Sequence, residues 1–201
     1  MGCPTIPCDD SRTTHPNRPR PSPAGFSRQN KGRARMPSKA IDASSFSPDI
    51  FEFIRLLEKH KVRYMIVGGE AVIYHGYPRV TGDVDFFYDL STGNASRLFS
   101  CLFEFWRGRI PGIKGAKDLE DKGVIIQFGR PPHRIDLLNT IDGVSFREAW
   151  RSRLRVVMAK PQGRAVCYYI GLRALVANKL ASGRPKDLED LSFLERKLLK
   201  K

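Results

Sequence analysis

The chain has 201 residues, of which 41% are apolar, 28% charged and 10% aromatic, a profile that fits one globular domain with an appendage and excludes a wholly disordered polymer. No apolar run approaches the ~20 residues of a membrane-spanning helix, which argues against a helical membrane protein. Lys and Arg number 35 against 21 Asp and Glu, so the net charge is +14 and the expected partner is anionic: nucleic acid, a nucleotide or an anionic surface.

Charge and proline are concentrated at the N-terminus. Residues 1–40 carry eight Lys or Arg against Asp9 and Asp10, and eight of the 14 prolines fall within residues 1–48. Pro16, Pro19, Pro21 and Pro23 interrupt any helix or central strand, and few apolar side chains are available there to offset the entropy of ordering. Residues 1–46 therefore read as a disordered basic tail and 47–201 as the domain. The tail serves either as an arm for nucleic acid, or as a spacer or upstream sequence ahead of Met36. Cys3, Cys8, Cys101 and Cys167 match no zinc spacing, and the last two lie among apolar neighbours, where buried, unpaired thiols are expected. No signal-peptide core follows Met1, and Ile6 stands where N-myristoylation wants Ser or Thr, so the expected setting is the reducing cytoplasm.

The domain opens at Ser47-Pro48-Asp49, an N-cap followed by a helix-favouring proline and an early acid, and Ile50, Phe51, Ile54 and Leu57 continue at helical spacing to Lys61. Tyr64–Val67 is a short apolar run stopped by Gly68-Gly69, a buried strand leading into a short helix over Glu70–Tyr74. Val84–Tyr88 is a second strand, and Ala95–Trp106 a helix with Leu98, Phe99, Leu102 and Phe105 on one side. Val124–Phe128 and Arg134–Leu138 read as strands separated by a Pro131-Pro132 turn. A short helix near Phe146–Trp150 and a strand over Leu154–Met158 come next. Helices near 171–181 and 186–199, broken by Gly183 and Pro185, close the chain as a C-terminal helical pair. Strands and helices interleave throughout, so the class is α/β or α+β with a mixed sheet flanked by helices.

Candidate chemistry lies in Ile66-Val67-Gly68-Gly69-Glu70-Ala71 and in Arg79-Val80-Thr81-Gly82-Asp83-Val84-Asp85-Phe86. Side chains alternate along a strand, so Asp83 and Asp85 project from one face, where two carboxylates repel unless a cation joins them. Mg²⁺ takes such oxygen ligands together with substrate phosphates. Acid-x-acid triplets also arise by chance, as Asp118-Leu119-Glu120 and Asp187-Leu188-Glu189 illustrate, so the pair gains weight only from its surroundings. Gly68-Gly69 ends a strand and opens a helix, where backbone N–H groups can hold phosphate; otherwise it is a tight turn. Arg79 and Thr81 offer a cation and a hydroxyl beside the acids. Asp136 stands alone in an apolar strand, where burial is costly without a partner or a metal.

Together Val67-Gly68-Gly69, Asp83-Val84-Asp85 and Ile135-Asp136-Leu137 resemble the nucleotidyltransferase superfamily related to DNA polymerase beta. Arg79-x-Thr81-x-Asp83-x-Asp85 and the segment Asn178-Lys179-Leu180 to Asp187-Leu188-Glu189-Asp190 resemble its small prokaryotic branch of minimal nucleotidyltransferases and abortive-infection-type toxins. The likeness spans roughly residues 50–195. It implies a mixed-sheet core, two Mg²⁺ ions (Mn²⁺ as an alternative), and transfer of a nucleoside monophosphate from a nucleoside triphosphate. Gly69 stands where many relatives carry Ser, and only about 65 residues follow Asp136, which leaves no large substrate domain. The acceptor is then expected on a small surface, a second subunit or a partner such as an antitoxin.

On this reading Asp83, Asp85 and Asp136 are the catalytic and metal-holding acids, with Asp136 completing the site where the acceptor loses its proton. Gly68, Gly69, Arg79, Thr81 and Lys179 form the nucleotide-binding set. Lys179 has a second reading as a snorkelling side chain, with Asp187 or Asp190 as a salt-bridge partner for it or for Arg184. His75 and His133 are left outside the site as structural donors. The acceptor is tRNA, a protein side chain or a small hydroxylated compound. The competing class is a non-catalytic nucleotide- or RNA-binding module of the same fold.

Overall fold

Ser47 starts the first long helix as its capping chemistry predicts: its hydroxyl accepts from the Ile50 amide at 3.3 Å, and Pro48 enters the first turn. This helix, α1 (Pro48–Lys59), buries Ile50, Phe51, Phe53, Ile54 and Leu57 along one stripe. Phe53 meets the rings of Phe86 and Phe105 edge-on at 5.3 and 5.2 Å. A fully buried phenylalanine of this kind contributes about 1.5–3 kcal/mol relative to an exposed one. The computed structural model describes residues 39–42, 46–161 and 163–199.

Among these residues, seven strands form one mixed sheet: β1 (Lys39–Asp42), β2 (Tyr64–Val67), β3 (Asp83–Tyr88), β4 (Ile125–Phe128), β5 (Arg134–Leu138), β6 (Leu154–Lys160) and β7 (Gly163–Tyr169). Their spatial order is β1-β6-β7-β2-β3-β5-β4. The pairs β2/β3, β4/β5 and β6/β7 are antiparallel, whereas β3/β5, β2/β7 and β1/β6 are parallel. The expected mixed α/β class is therefore the observed one. The remaining helices are α2 (Gly68–Tyr74), α3 (Thr92–Phe105), α4 (Phe146–Arg151), α5 (Leu172–Ser182) and α6 (Pro185–Leu199), with a 3-10 turn at Ala116–Leu119. Helix α1 packs on β7 and α3, while α2 packs on β2 and β3 and reaches α5. Gly183, at φ +60°, ends α5 in the left-handed conformation, and Pro185 opens α6 at once.

Two strands depart from the sequence expectation. Strand β1 lies inside the segment read as tail and pairs with β6 over Lys39–Asp42, and Phe46 is buried in the core, so order begins before Ser47. The remainder of the tail assignment, residues 1–38 and 43–45, lies outside the described residues. Strand β7 escapes prediction because its inward positions are small or polar-looking, Ala165 and Cys167 ahead of Tyr169, after Gly163-Arg164. Cys101 and Cys167 are buried free thiols, as expected, and burial pushes the Cys167 thiol up to about 12. No helix among the described residues is long and apolar enough to cross a membrane.

Candidate active site

Strand register assembles the acids. Parallel pairing of β3 with β5 sets Asp85 beside Asp136 and Asp83 beside Arg134. Antiparallel pairing of β2 with β3 sets Val67, the residue before the glycine pair, beside Asp85. Strand β4 adds Gln127 next to Asp136. Asp83, Asp85 and Asp136 thus share one face, and Val84 and Phe86 turn the other way into the core. They line a cleft of about 940 Å³, together with Gly68, Gly69, Arg79, Thr81 and Lys179. All eight residues singled out from sequence meet in that one cavity.

Concentrated carboxylates shape the electrostatics. Burial first, then the charges of Asp83 and Asp136, push the Asp85 carboxyl up to about 6, against the pull of Lys179 and Arg134. Glu70, on α2, is pushed up to about 7 by burial and Asp83, with Arg79 opposing and Asp85 adding to the rise. Thr81 donates to Asp83 Oδ1 at 3.0 Å, so its hydroxyl orients an acid. Asp136 is almost fully enclosed and accepts from Gln127 Nε2 at 2.9 Å and from Arg134 Nε at 2.7 Å.

Both glycines are required by close approach. Gly68 has φ +61°, and a Cβ there would stand 1.8 Å from Asp85 Oδ2. A Cβ on Gly69 would stand 2.5 Å from Thr81 Oγ1 and 2.9 Å from Arg79 Nη2. Backbone at the start of α2 therefore lies directly against the acid, the hydroxyl and the guanidinium. Gly68→Ala is expected to cost about 1–3 kcal/mol in backbone strain alone, with further loss as Asp85 is displaced. Thermal melting of the variant checks this, and a melting temperature equal to that of the parent contradicts the close approach.

The C-terminal helical pair supplies a second wall. Asn178 donates to the Asp142 carbonyl at 3.0 Å and anchors α5 under the loop after β5. Lys179 is buried, with its ammonium 2.5 Å from Asp187 Oδ1 and 3.0 Å from Asp190 Oδ2. Arg79 Nε lies 3.3 Å from Asp190 Oδ1. Arg79 Nε and Asp190 Oδ2 are enclosed without hydrogen bonds, so charge alone joins them to their partners. Burial pushes the Asp187 carboxyl up, but bonds from Lys179 and Ser182 and the charges of Lys179 and Arg184 bring it below the usual range. Of the two sequence readings of Lys179, salt bridging to Asp187 and Asp190 is what the structure displays, at the edge of the same cleft.

Sequence reasoning missed Arg134, Gln127 and Glu70. Arg134 precedes Asp136 by two residues, so strand alternation alone puts both on one face; that signal was present in Arg134-Ile135-Asp136. Gln127 had no such signal, since only the β4/β5 register brings it to Asp136. His75 is buried, its Nε2 2.9 Å from the Ile170 carbonyl, which fits the structural role expected of it.

An Asp-x-Asp strand paired with a third acid on its neighbour, beside a Gly-Gly turn in a mixed sheet flanked by helices, is a nucleotidyltransferase-like arrangement. The chain belongs to the family described as nucleotidyltransferase of unknown function (DUF6036), whose pattern matches residues 48–200. No curated protein matches it.

Proposed function

We propose that this protein is a divalent-metal-dependent nucleotidyltransferase that moves a nucleoside monophosphate from a nucleoside triphosphate to a hydroxyl of tRNA, a protein or a small compound. The observation that carries the reading is the meeting of Asp83, Asp85 and Asp136 in a cleft whose other walls are Gly68-Gly69 and the cations Arg79 and Lys179. Likeness of the Arg79–Asp85 and Asn178–Asp190 segments to the small prokaryotic branch supports a toxin-type enzyme with an antitoxin or second subunit as partner.

The donor set suits a hard cation: three carboxylates on one face, one of them with its carboxyl pushed up to about 6 by burial and by the charges of the other two. Among the described residues no three His, Cys, Asp or Glu side chains stand ready as a cation cage, and Arg134 lies across two of the acids. Asp83, Asp85 and Asp136 would hold Mg²⁺ or Mn²⁺, which when bound supplies charge neutralisation at the transferring phosphate and the departing pyrophosphate. Arg79 offers a planar fork to phosphate oxygens, and Gly69, having no side chain, lets that guanidinium and the Thr81 hydroxyl close against the start of α2. Asp136 takes the proton of the acceptor hydroxyl; the acceptor oxygen forms a bond to the α-phosphorus, and the bond to the β-phosphate oxygen breaks. Thr81 keeps Asp83 oriented throughout.

Incubation of the protein with each α-labelled nucleoside triphosphate, Mg²⁺ and total cellular RNA or lysate tests the reading. Label is expected to pass to an acceptor with the parent protein and not in the presence of a chelator. The ion pairs of Arg134 with Asp83 and Asp136 favour the competing reading, a binding module that needs no metal. Triphosphate binding that ignores the chelator, with no label transferred to any acceptor, selects that module. Arg79→Lys keeps charge and loses the fork, whereas Arg79→Ala loses both. Transfer is expected to fall with each, about tenfold for Lys and further for Ala, each tenfold being about 1.4 kcal/mol of transition-state stabilisation. Equal rates in all three proteins would remove Arg79 from the phosphate site.

A further inference from the structure

Arg134 touches two of the three acids at once. Its Nη2 donates to Asp83 Oδ2 at 2.6 Å and to Asp136 Oδ2 at 2.8 Å, and its Nε donates to Asp136 Oδ1 at 2.7 Å. This is a fork on one carboxylate with a branch to a second, the strongest hydrogen-bonding mode a guanidinium has. The contact follows from the sheet itself, because Arg134 is the register partner of Asp83 and lies two residues before Asp136 on the same face. The oxygens it engages, one of Asp83 and both of Asp136, are ones an incoming cation needs. Its side chain is 26% exposed at the cleft, so it has open space to move into.

We infer that Arg134 is a tethered occupant of the metal site: it neutralises the acids while no ion is bound, and it leaves Asp83 and Asp136 when a divalent cation arrives. Metal uptake is then an exchange of one cation for another, and Arg134 sets how readily the site fills. This rests on the metal-dependent reading above. It also gives the released guanidinium a use, since a triphosphate entering with the ion offers new oxygens to its fork. The ion and the triphosphate should accordingly bind better together than singly, by reciprocal coupling.

The test uses the full chain without nucleotide and reads metal, not turnover. Mn²⁺ binding is measured by electron paramagnetic resonance for the parent, Arg134→Met and Arg134→Lys. In parallel, the Arg134 Nε–H resonance of the parent, assigned by its loss in Arg134→Lys, is followed through a Mg²⁺ titration. Arg134→Met is expected to bind Mn²⁺ about tenfold more tightly, with Lys between it and the parent. In the parent, the Nε–H resonance is expected to shift at the midpoint of metal binding. Should Arg134→Met fail to fold, the Lys variant and the parent resonance still decide. Metal binding that leaves the Nε–H resonance in place, or equal Mn²⁺ affinity in all variants, makes Arg134 a fixed counter-ion; it overturns the exchange and leaves the metal reading standing. Absence of Mn²⁺ binding in both the parent and Arg134→Met overturns the metal reading, and the exchange falls with it.

Discussion

Asp85→Asn is expected to abolish transfer and at the same time to raise the melting temperature of the metal-free protein. The Asp85 carboxyl is pushed up to about 6 by burial and by its neighbours Asp83 and Asp136. A folded-state value above the unfolded one, ~3.9, means the folded chain binds more protons, so ionisation of Asp85 opposes folding. The sign follows: stability falls as pH rises from about 4 to about 6, and the full penalty is present at neutral pH. Two pKa units correspond to roughly 3 kcal/mol, which Asn removes while keeping the shape. For a domain of this size that is a rise on the order of 6–12 °C.

Glu70, pushed up to about 7, extends the same trend, so the metal-free parent should lose stability progressively from about pH 4 to 7. The variant should lose less. Melting curves at pH 5 and pH 7.5, with and without Mg²⁺, check this, alongside a transfer assay. Undiminished transfer by Asp85→Asn, or by Asp83→Asn tested in the same way, removes the altered acid from the catalytic set.

Lys179→Met carries the largest expected loss of stability. The substitution keeps most of the stem and removes the ammonium, leaving Asp187 and Asp190 at 3% and 1% exposure without the cation that lies 2.5 and 3.0 Å from them. Removing one partner of a buried ion pair costs about 3–5 kcal/mol, because the charge left behind cannot return to water. A fall of roughly 10 °C in melting temperature is expected. Arg79 shares Asp190 and lines the cleft, so part of the cost appears at the cleft wall.

A second substitution, Asp190→Asn in the Lys179→Met background, should recover some of the loss, since neighbours in one network are not additive. Calorimetric titration with a nucleoside triphosphate separates the two roles of Lys179. Melting within a degree of the parent, together with weakened triphosphate binding, would instead place the ammonium on phosphate.

Local chemistry determined a good deal. Ser47-Pro48 fixed the start of α1, and an apolar run ended by Gly68-Gly69 defined β2 and its turn. Alternation put Asp83 and Asp85 on one face, and the cost of burying Asp136 in an apolar strand marked it as an acid with a partner. These are short-range properties of spacing, capping and desolvation, which the order of residues carries by itself.

What only the tertiary structure decided is pairing across distance. The β3/β5 register chose Asp136 as the neighbour of Asp85, and the same register laid Arg134 on Asp83, 51 residues away along the chain. Helix packing set Lys179 beside Asp187 and Asp190 and Arg79 beside Asp190, pairings that their charges alone did not specify. Strand β1 exists through its parallel partner β6, and nothing in Lys39–Asp42 distinguishes it from the basic segment around it. An ion pair or a strand edge is chosen by which groups the whole sheet brings within a few ångströms, and that proximity is not a property of either residue's own neighbourhood.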